Sequence, residues 1–134
     1  MRTLLLALAF CLPSCFLAPD TAPAEQEVEH FHNLLDQGEF ERFYEQTGAE
    51  FKGVSKQADF VAILDAVHRK LGDVKSVKKT RTDWHSGTGG TSIALTYETT
   101  FAEGPATEQF NFHVVDGKPV LVGYHINSDL LITK

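Results

Sequence analysis

Apolar positions in this chain change period twice. From Leu4 to Leu17 they are nearly continuous. From Glu25 they recur at helical spacing, with Val28, Phe31 and Leu34/Leu35 on one side of a segment that ends at Gln37 before Gly38, where a C-terminal cap is expected. Glu39 to Gln46 repeats this in miniature through Phe40, Phe43 and Tyr44, and stops near Gly48. Ala49 to Val54 reads as a short irregular piece. Ser55 is placed to cap the next helix through its hydroxyl. That helix carries Phe60, Leu64, Val67 and Leu71 on one stripe and closes on Arg69, Lys70 and Gly72, with the basic residues at the dipole's negative end.

After Gly72 the period becomes two. Val74 to His85 is a strand rich in Lys, Arg and Thr, followed by a turn over Ser86 to Gly90. From Thr91 the alternation is clean, with Ile93, Leu95, Tyr97, Thr99 and Phe101 on one face. Gly104-Pro105 turns the chain, and Phe110, Phe112 and Val114 share a face of the third strand. Asp116-Gly117 is a strong hairpin signal. Val120, Val122, Tyr124 and Ile126 are then expected together on the last strand. Three helices followed by four hairpin-linked strands predict an α+β fold: three N-terminal helices packed on a curved four-stranded antiparallel sheet, one face apolar.

The continuous apolar run is a different object. Arg2 precedes it and Ala18 to Ala24, rich in Ala and Pro, follows it, the order of a secretory signal peptide. At about 14 residues it is shorter than the roughly 20 a membrane-spanning helix needs, and Pro13 stands inside it. The expected organisation is residues 1–24 as signal peptide and linker and 25–134 as one α+β domain. Export places the domain in the periplasm or on a membrane of a bacterial envelope. Two processing routes fit. Signal peptidase could cut after Ala24, using Ala22 and Ala24 as the small residues. Alternatively, Leu12-Pro13-Ser14-Cys15 resembles a lipobox, in which Cys15 takes a lipid anchor and becomes the new N-terminus.

Both cysteines, Cys11 and Cys15, lie in this leader, so the domain has no disulfide or thiolate metal site and depends on its core. The net charge of −6 makes nucleic acid an unfavourable partner. Membrane contact is expected only through an anchor at Cys15.

The helix, short helix, helix, meander order resembles the nuclear transport factor 2-like superfamily, whose sheet wraps the helices into a cone with a pocket. Shorter phrases are similar to the exported bacterial family called domain of unknown function 4019. These are Asp36-Gln37-Gly38-Glu39-Phe40, Arg69-Lys70-Leu71-Gly72, Thr99-Thr100-Phe101-Ala102, Glu108, Asp116-Gly117 and Gly123-Tyr124-His125-Ile126. The resemblance covers nearly all of residues 26 to 127. It departs at Lys118-Pro119-Val120, where the family commonly has a Trp. It implies a shape and a compartment, and no activity.

In such a cone the polar groups on the inner sheet face are the candidate pocket: Tyr97, Thr99, Glu108 and Tyr124, with Trp84 nearby. A carboxylate among apolar rings can act as an acid or base; the alternatives are core phenols with backbone partners and a Glu108 that points into water from a strand end. No catalytic residue is assigned. The reading is a binding module for a small apolar or amphipathic ligand, or for an envelope protein. The alternative is an acid–base enzyme of ketosteroid-isomerase type using Glu108, Tyr97 and Tyr124. No cofactor or metal is expected: His30 and His32 stand about 200° apart on a helix, and His113 with His125 lacks a carboxylate. The histidines read as surface groups. Lys75, Lys78, Lys79 and Arg81 form either an anion-binding stretch or a charged edge strand that discourages sheet-to-sheet pairing.

Overall fold

The computed structural model describes residues 17–133; the leader run and Cys15 lie outside them. Four helices precede the sheet rather than three. They are α1 (Ala22–Gln37), α2 (Phe40–Glu45), α3 (Ala49–Val54) and α4 (Gln57–Leu71). The segment expected to be irregular is α3, a short helix anchored by buried Phe51, whose ring packs edge-on to Phe60 at 4.9 Å. Ser55 does not cap α4. It sits in extended backbone at the end of α3, and its carbonyl accepts the Tyr44 hydroxyl at 2.7 Å.

Helix α1 begins at Ala22 instead of Glu25. The Asp20 carboxylate accepts the Ala22 N–H at 3.0 Å, and Pro23 occupies the first turn, where its missing N–H costs nothing. Ala24 is wholly buried in the core. At the other end Gly38 adopts φ +73°, and the N–H groups of Gly38 and Glu39 close on the carbonyls of Leu35 and Leu34, a glycine-dependent helix stop.

The sheet is an antiparallel meander in the order β1 (Val74–Gly87), β2 (Gly90–Phe101), β3 (Pro105–Val115), β4 (Lys118–Asn127). The Asp116-Gly117 hairpin has φ +51° and +76°, positive at both central residues as a tight two-residue turn requires. Ile93, Leu95, Tyr97, Thr99 and Phe101 of β2 are all buried, as are Ala106, Glu108, Phe110 and Phe112 of β3. They face Val28, Phe31, Leu35, Phe60 and Leu64 of the helices in one apolar core. β1 is an edge strand, exposed along nearly its whole length, which suits its charged composition.

The last strand differs from strict alternation. Asn111 pairs with Gly123 but Phe112 with Leu121, so Val122 is an extra residue on β4. Beyond this bulge the faces exchange. Leu121 is therefore the core residue, whereas Val120 and Val122 are half-buried. A fifth helix, α5 (Leu130–Thr133), follows the sheet and is tied to α4 by Lys70 Nζ, which donates to the Leu131 carbonyl at 2.6 Å. No helix among the described residues is long and apolar enough to cross a membrane.

Candidate functional site

Glu108 is the most deeply buried charged-type side chain of the inner sheet face, with no exposed surface. It does not point into water from a strand end. β3 pairs with β2 on one side and β4 on the other, and the register sets Glu108 between Tyr97 and Ile126. Thr99 and Tyr124 stand within reach on the neighbouring strands. Thr99 Oγ1 donates to Glu108 Oε1 at 2.5 Å and the Tyr124 hydroxyl donates to Oε2 at 2.6 Å. The fourth member comes from the helix layer: His32 Nε2 lies 2.7 Å from Oε1. With Glu108 as a carboxylate, Nε2–H, Thr99 and Tyr124 all donate to it, and both its oxygens are engaged. A buried carboxylate persists only when hydrogen-bonded in this way.

His32 thus corrects its reading as a surface group. It is buried, with Phe31 and Phe110 edge-on to its ring at 5.6 and 5.8 Å. Position on α1 decides this: His32 follows Val28 by four residues, on the helix side that faces the sheet. His30, two residues earlier, is turned away and bonds Gln46 Oε1 at 2.6 Å. His113 and His125 are not brought together. His113 Nδ1 meets Glu50 at 2.7 Å, whereas His125 stands opposite Gln109 and is exposed.

Tyr97, Thr99, Glu108 and Tyr124 therefore converge, but the two phenols differ. Tyr124 belongs to the Glu108 network. Burial first, and then the adjacent Glu108 charge, push its hydroxyl well above the ordinary phenol range, so it remains a proton donor. Tyr97 packs edge-on to Phe110 at 5.9 Å and lines a cavity between α1 and β1. Burial and the nearby Glu25 charge push it up to about 12. Trp84 stands apart: paired with Ile93 and 38% exposed, it lines a different cleft with Val122 and His113.

The α1–β1 cavity has a volume of roughly 640 Å³. Ala22, Val28, Val74 and Val77 are its apolar residues, and the rest of its lining is polar or charged, His32, Asn33, Asp36, Lys75 and Tyr97 among them. A Glu25–Lys79 ion pair joins its two walls. The hydrogen bond from Lys79 holds the Glu25 carboxyl below the usual carboxylate range. His32 is thus shared between the buried network and the cavity.

The Tyr97 environment has a measurable consequence. Between pH 10 and 12 an unfolded chain loses the phenol proton that the folded one keeps. The folded state then binds more protons, so stability falls as pH rises through this window. Denaturant melts of the wild type are expected to weaken across it, and those of Tyr97→Phe to weaken less. Equal slopes would contradict the burial of this hydroxyl.

Four helices against a four-stranded antiparallel meander, with buried polar groups on its inner face, define a nuclear transport factor 2-like α+β domain. The family described as "Protein of unknown function (DUF4019)" matches residues 27–124. The chain belongs to that family. Two solved structures share the fold. Aln2 from a Streptomyces species is 15% identical with a TM-score of 0.54, and the match covers 87% of this chain and 98% of that one. A protein from Catenulispora acidiphila is also 15% identical, with a TM-score of 0.51, 84% of this chain and 93% of that one being covered. Curated proteins give no match.

Proposed function

We propose that this domain is a non-catalytic binding module that takes a small amphipathic molecule in the α1–β1 cavity. The observation that carries this is the cavity itself: roughly 640 Å³, with Val28 and Val77 as apolar surface among mostly polar and charged side chains that include His32 and Tyr97. That volume lies within the range of small-molecule sites, and a lining that mixes valines with charged and polar side chains suits an amphipathic molecule rather than a wholly apolar one. Glu108 supports the site from beneath. Both its oxygens are occupied and it has no exposed surface, so it holds His32 and Tyr124 in place rather than meeting a ligand.

Nile red, an uncharged dye, tests the cavity. The wild type should bind it saturably with a blue-shifted emission. Val77→Trp, which fills the cavity from an exposed position on β1 opposite the inward-facing Thr99, should abolish that binding while leaving the melting temperature nearly unchanged. Absence of saturable binding, or equal binding by the variant, would overturn the reading.

One observation favours a second reading. An imidazole held by a carboxylate and lining a cavity is an arrangement used for general-base chemistry. The reacting group would then be His32, with Glu108 orienting it, and not Glu108 itself as in the ketosteroid-isomerase-type alternative. Turnover of any candidate substrate that collapses in His32→Gln, while Nile red still binds, would select it.

The proposal places the domain in a bacterial envelope, tethered by a lipid on Cys15. The start of α1 supports this route over cleavage after Ala24. Such a cut would remove Ala22, Pro23 and the fully buried Ala24 together with the Asp20 cap. Acylation at Cys15 leaves all of them in the mature chain. A chain starting at Glu25 is expected to be about 1–3 kcal/mol less stable in denaturant than one starting at Phe16, through loss of packing and of the helix's first turn. Equal stabilities would remove this support.

A further inference from the structure

Asp36, His68 and Asp73 come from three places in the chain: the last turn of α1, the last turn of α4 and the link from α4 to β1. The fold gathers one ligand atom from each to within 4.8 Å of the others. Gly72 makes this approach possible. It has φ +76° and ψ −158°, a combination almost confined to glycine, and it turns the chain so that Asp73 follows His68 closely in space. The backbone of Asp73 is fixed there, its carbonyl accepting the Ala102 N–H at 2.8 Å.

The Nδ1 atom of His68 is sealed from solvent and has no hydrogen-bond partner, the single such side-chain atom among the described residues. Its nearest acidic oxygen, Asp73 Oδ1, is 3.9 Å away, too far for a hydrogen bond. Native proteins rarely leave a buried polar atom in this condition. The Phe40 ring lies edge-on to the imidazole at 6.2 Å. Asp36 is also positioned: its Oδ1 accepts the Val74 N–H at 3.0 Å.

The two long cations of the last α4 turn are engaged elsewhere. Arg69 Nε donates to Asp65 at 2.8 Å and Lys70 Nζ donates to the Leu131 carbonyl. The C-termini of α1 and α4 both end beside it, and the partial negative charge of two helix ends favours a cation. One imidazole nitrogen with two carboxylates suits a zinc-type ion, which accepts mixed nitrogen and oxygen ligands at about 2.0–2.2 Å and completes its shell with water. Ligand atoms of a coordinated ion stand closer to one another than the present limit of 4.8 Å, so binding draws the three side chains together.

We infer that Asp36, His68 and Asp73 form a binding site for one divalent transition-metal ion of zinc type. The test is titration with Co²⁺, read by its visible spectrum, followed by displacement with Zn²⁺. The full chain carries Cys11→Ser and Cys15→Ser, so that no thiolate competes. One Co²⁺ per chain is expected, displaced by Zn²⁺. His68→Gln and Asp73→Asn should each weaken binding at least about tenfold, on the order seen when a metal site loses a supporting group. His113→Gln, at the separate pair with Glu50, should leave binding unchanged. Asp73 is exposed, so its variant decides the matter if His68→Gln does not fold. No saturable binding below about millimolar Co²⁺, or an affinity indifferent to Asp73→Asn, would overturn the assignment.

Discussion

Glu108→Ala is expected to cost about 3–5 kcal/mol, the range for stripping one partner from a buried charged network. Its carboxylate is the common acceptor for His32, Thr99 and Tyr124. Removing it leaves three buried donors without their common acceptor. Glu108→Gln should cost less, about 1–3 kcal/mol, because the amide keeps one acceptor oxygen but turns an NH₂ group toward a donor. The order Ala worse than Gln, in denaturant melts, is the diagnostic result. Both variants behaving like the wild type would mean that Glu108 is solvated, and the network would be wrong.

Phe110→Ala should be as severe, about 3–5 kcal/mol. The ring has no exposed surface and touches the rings of Phe31, His32, Tyr97 and Tyr124. It therefore joins the helix layer, the Glu108 network and the cavity floor. A domain of this size has roughly 5–15 kcal/mol of total stability, so the variant should be substantially unfolded under mild denaturant. A loss below about 0.5 kcal/mol is the scale of a surface substitution and would contradict the packing of the sheet against α1.

The residues that sequence made legible are those whose surroundings repeat at short range. Ile93 to Phe101 alternate without interruption, and every inward position among them is buried. Asp116-Gly117 names its own turn. The inward placement of Tyr97, Thr99, Glu108 and Tyr124 follows from that parity. What was hidden depends on distant partners. His32 looks like any polar residue in an amphipathic helix until β3 supplies Glu108, 76 positions later; the only local signal was its spacing from Val28. The bulge at Val122 has no sequence marker beyond the adjacent Gly123, and it moves Leu121 into the core in place of Val122. Asp36, His68 and Asp73 sit in phrases that read as helix endings, and only the convergence of two helix C-termini brings them together. The early start of α1 was obscured because Ala22-Pro23-Ala24 serves equally well as a cleavage site and as a first helical turn.

The central claim is that ligand binds between α1 and β1, on a floor held by the Glu108 network. An assigned amide and aromatic nuclear magnetic resonance spectrum, recorded with and without Nile red, tests it site by site. The account predicts saturable shifts at Val28, His32, Asn33, Val77 and Tyr97, which line the cavity, with little change around Trp84 and His113 in the separate cleft. Shifts confined to that second cleft, with His32 and Tyr97 unmoved, would contradict it.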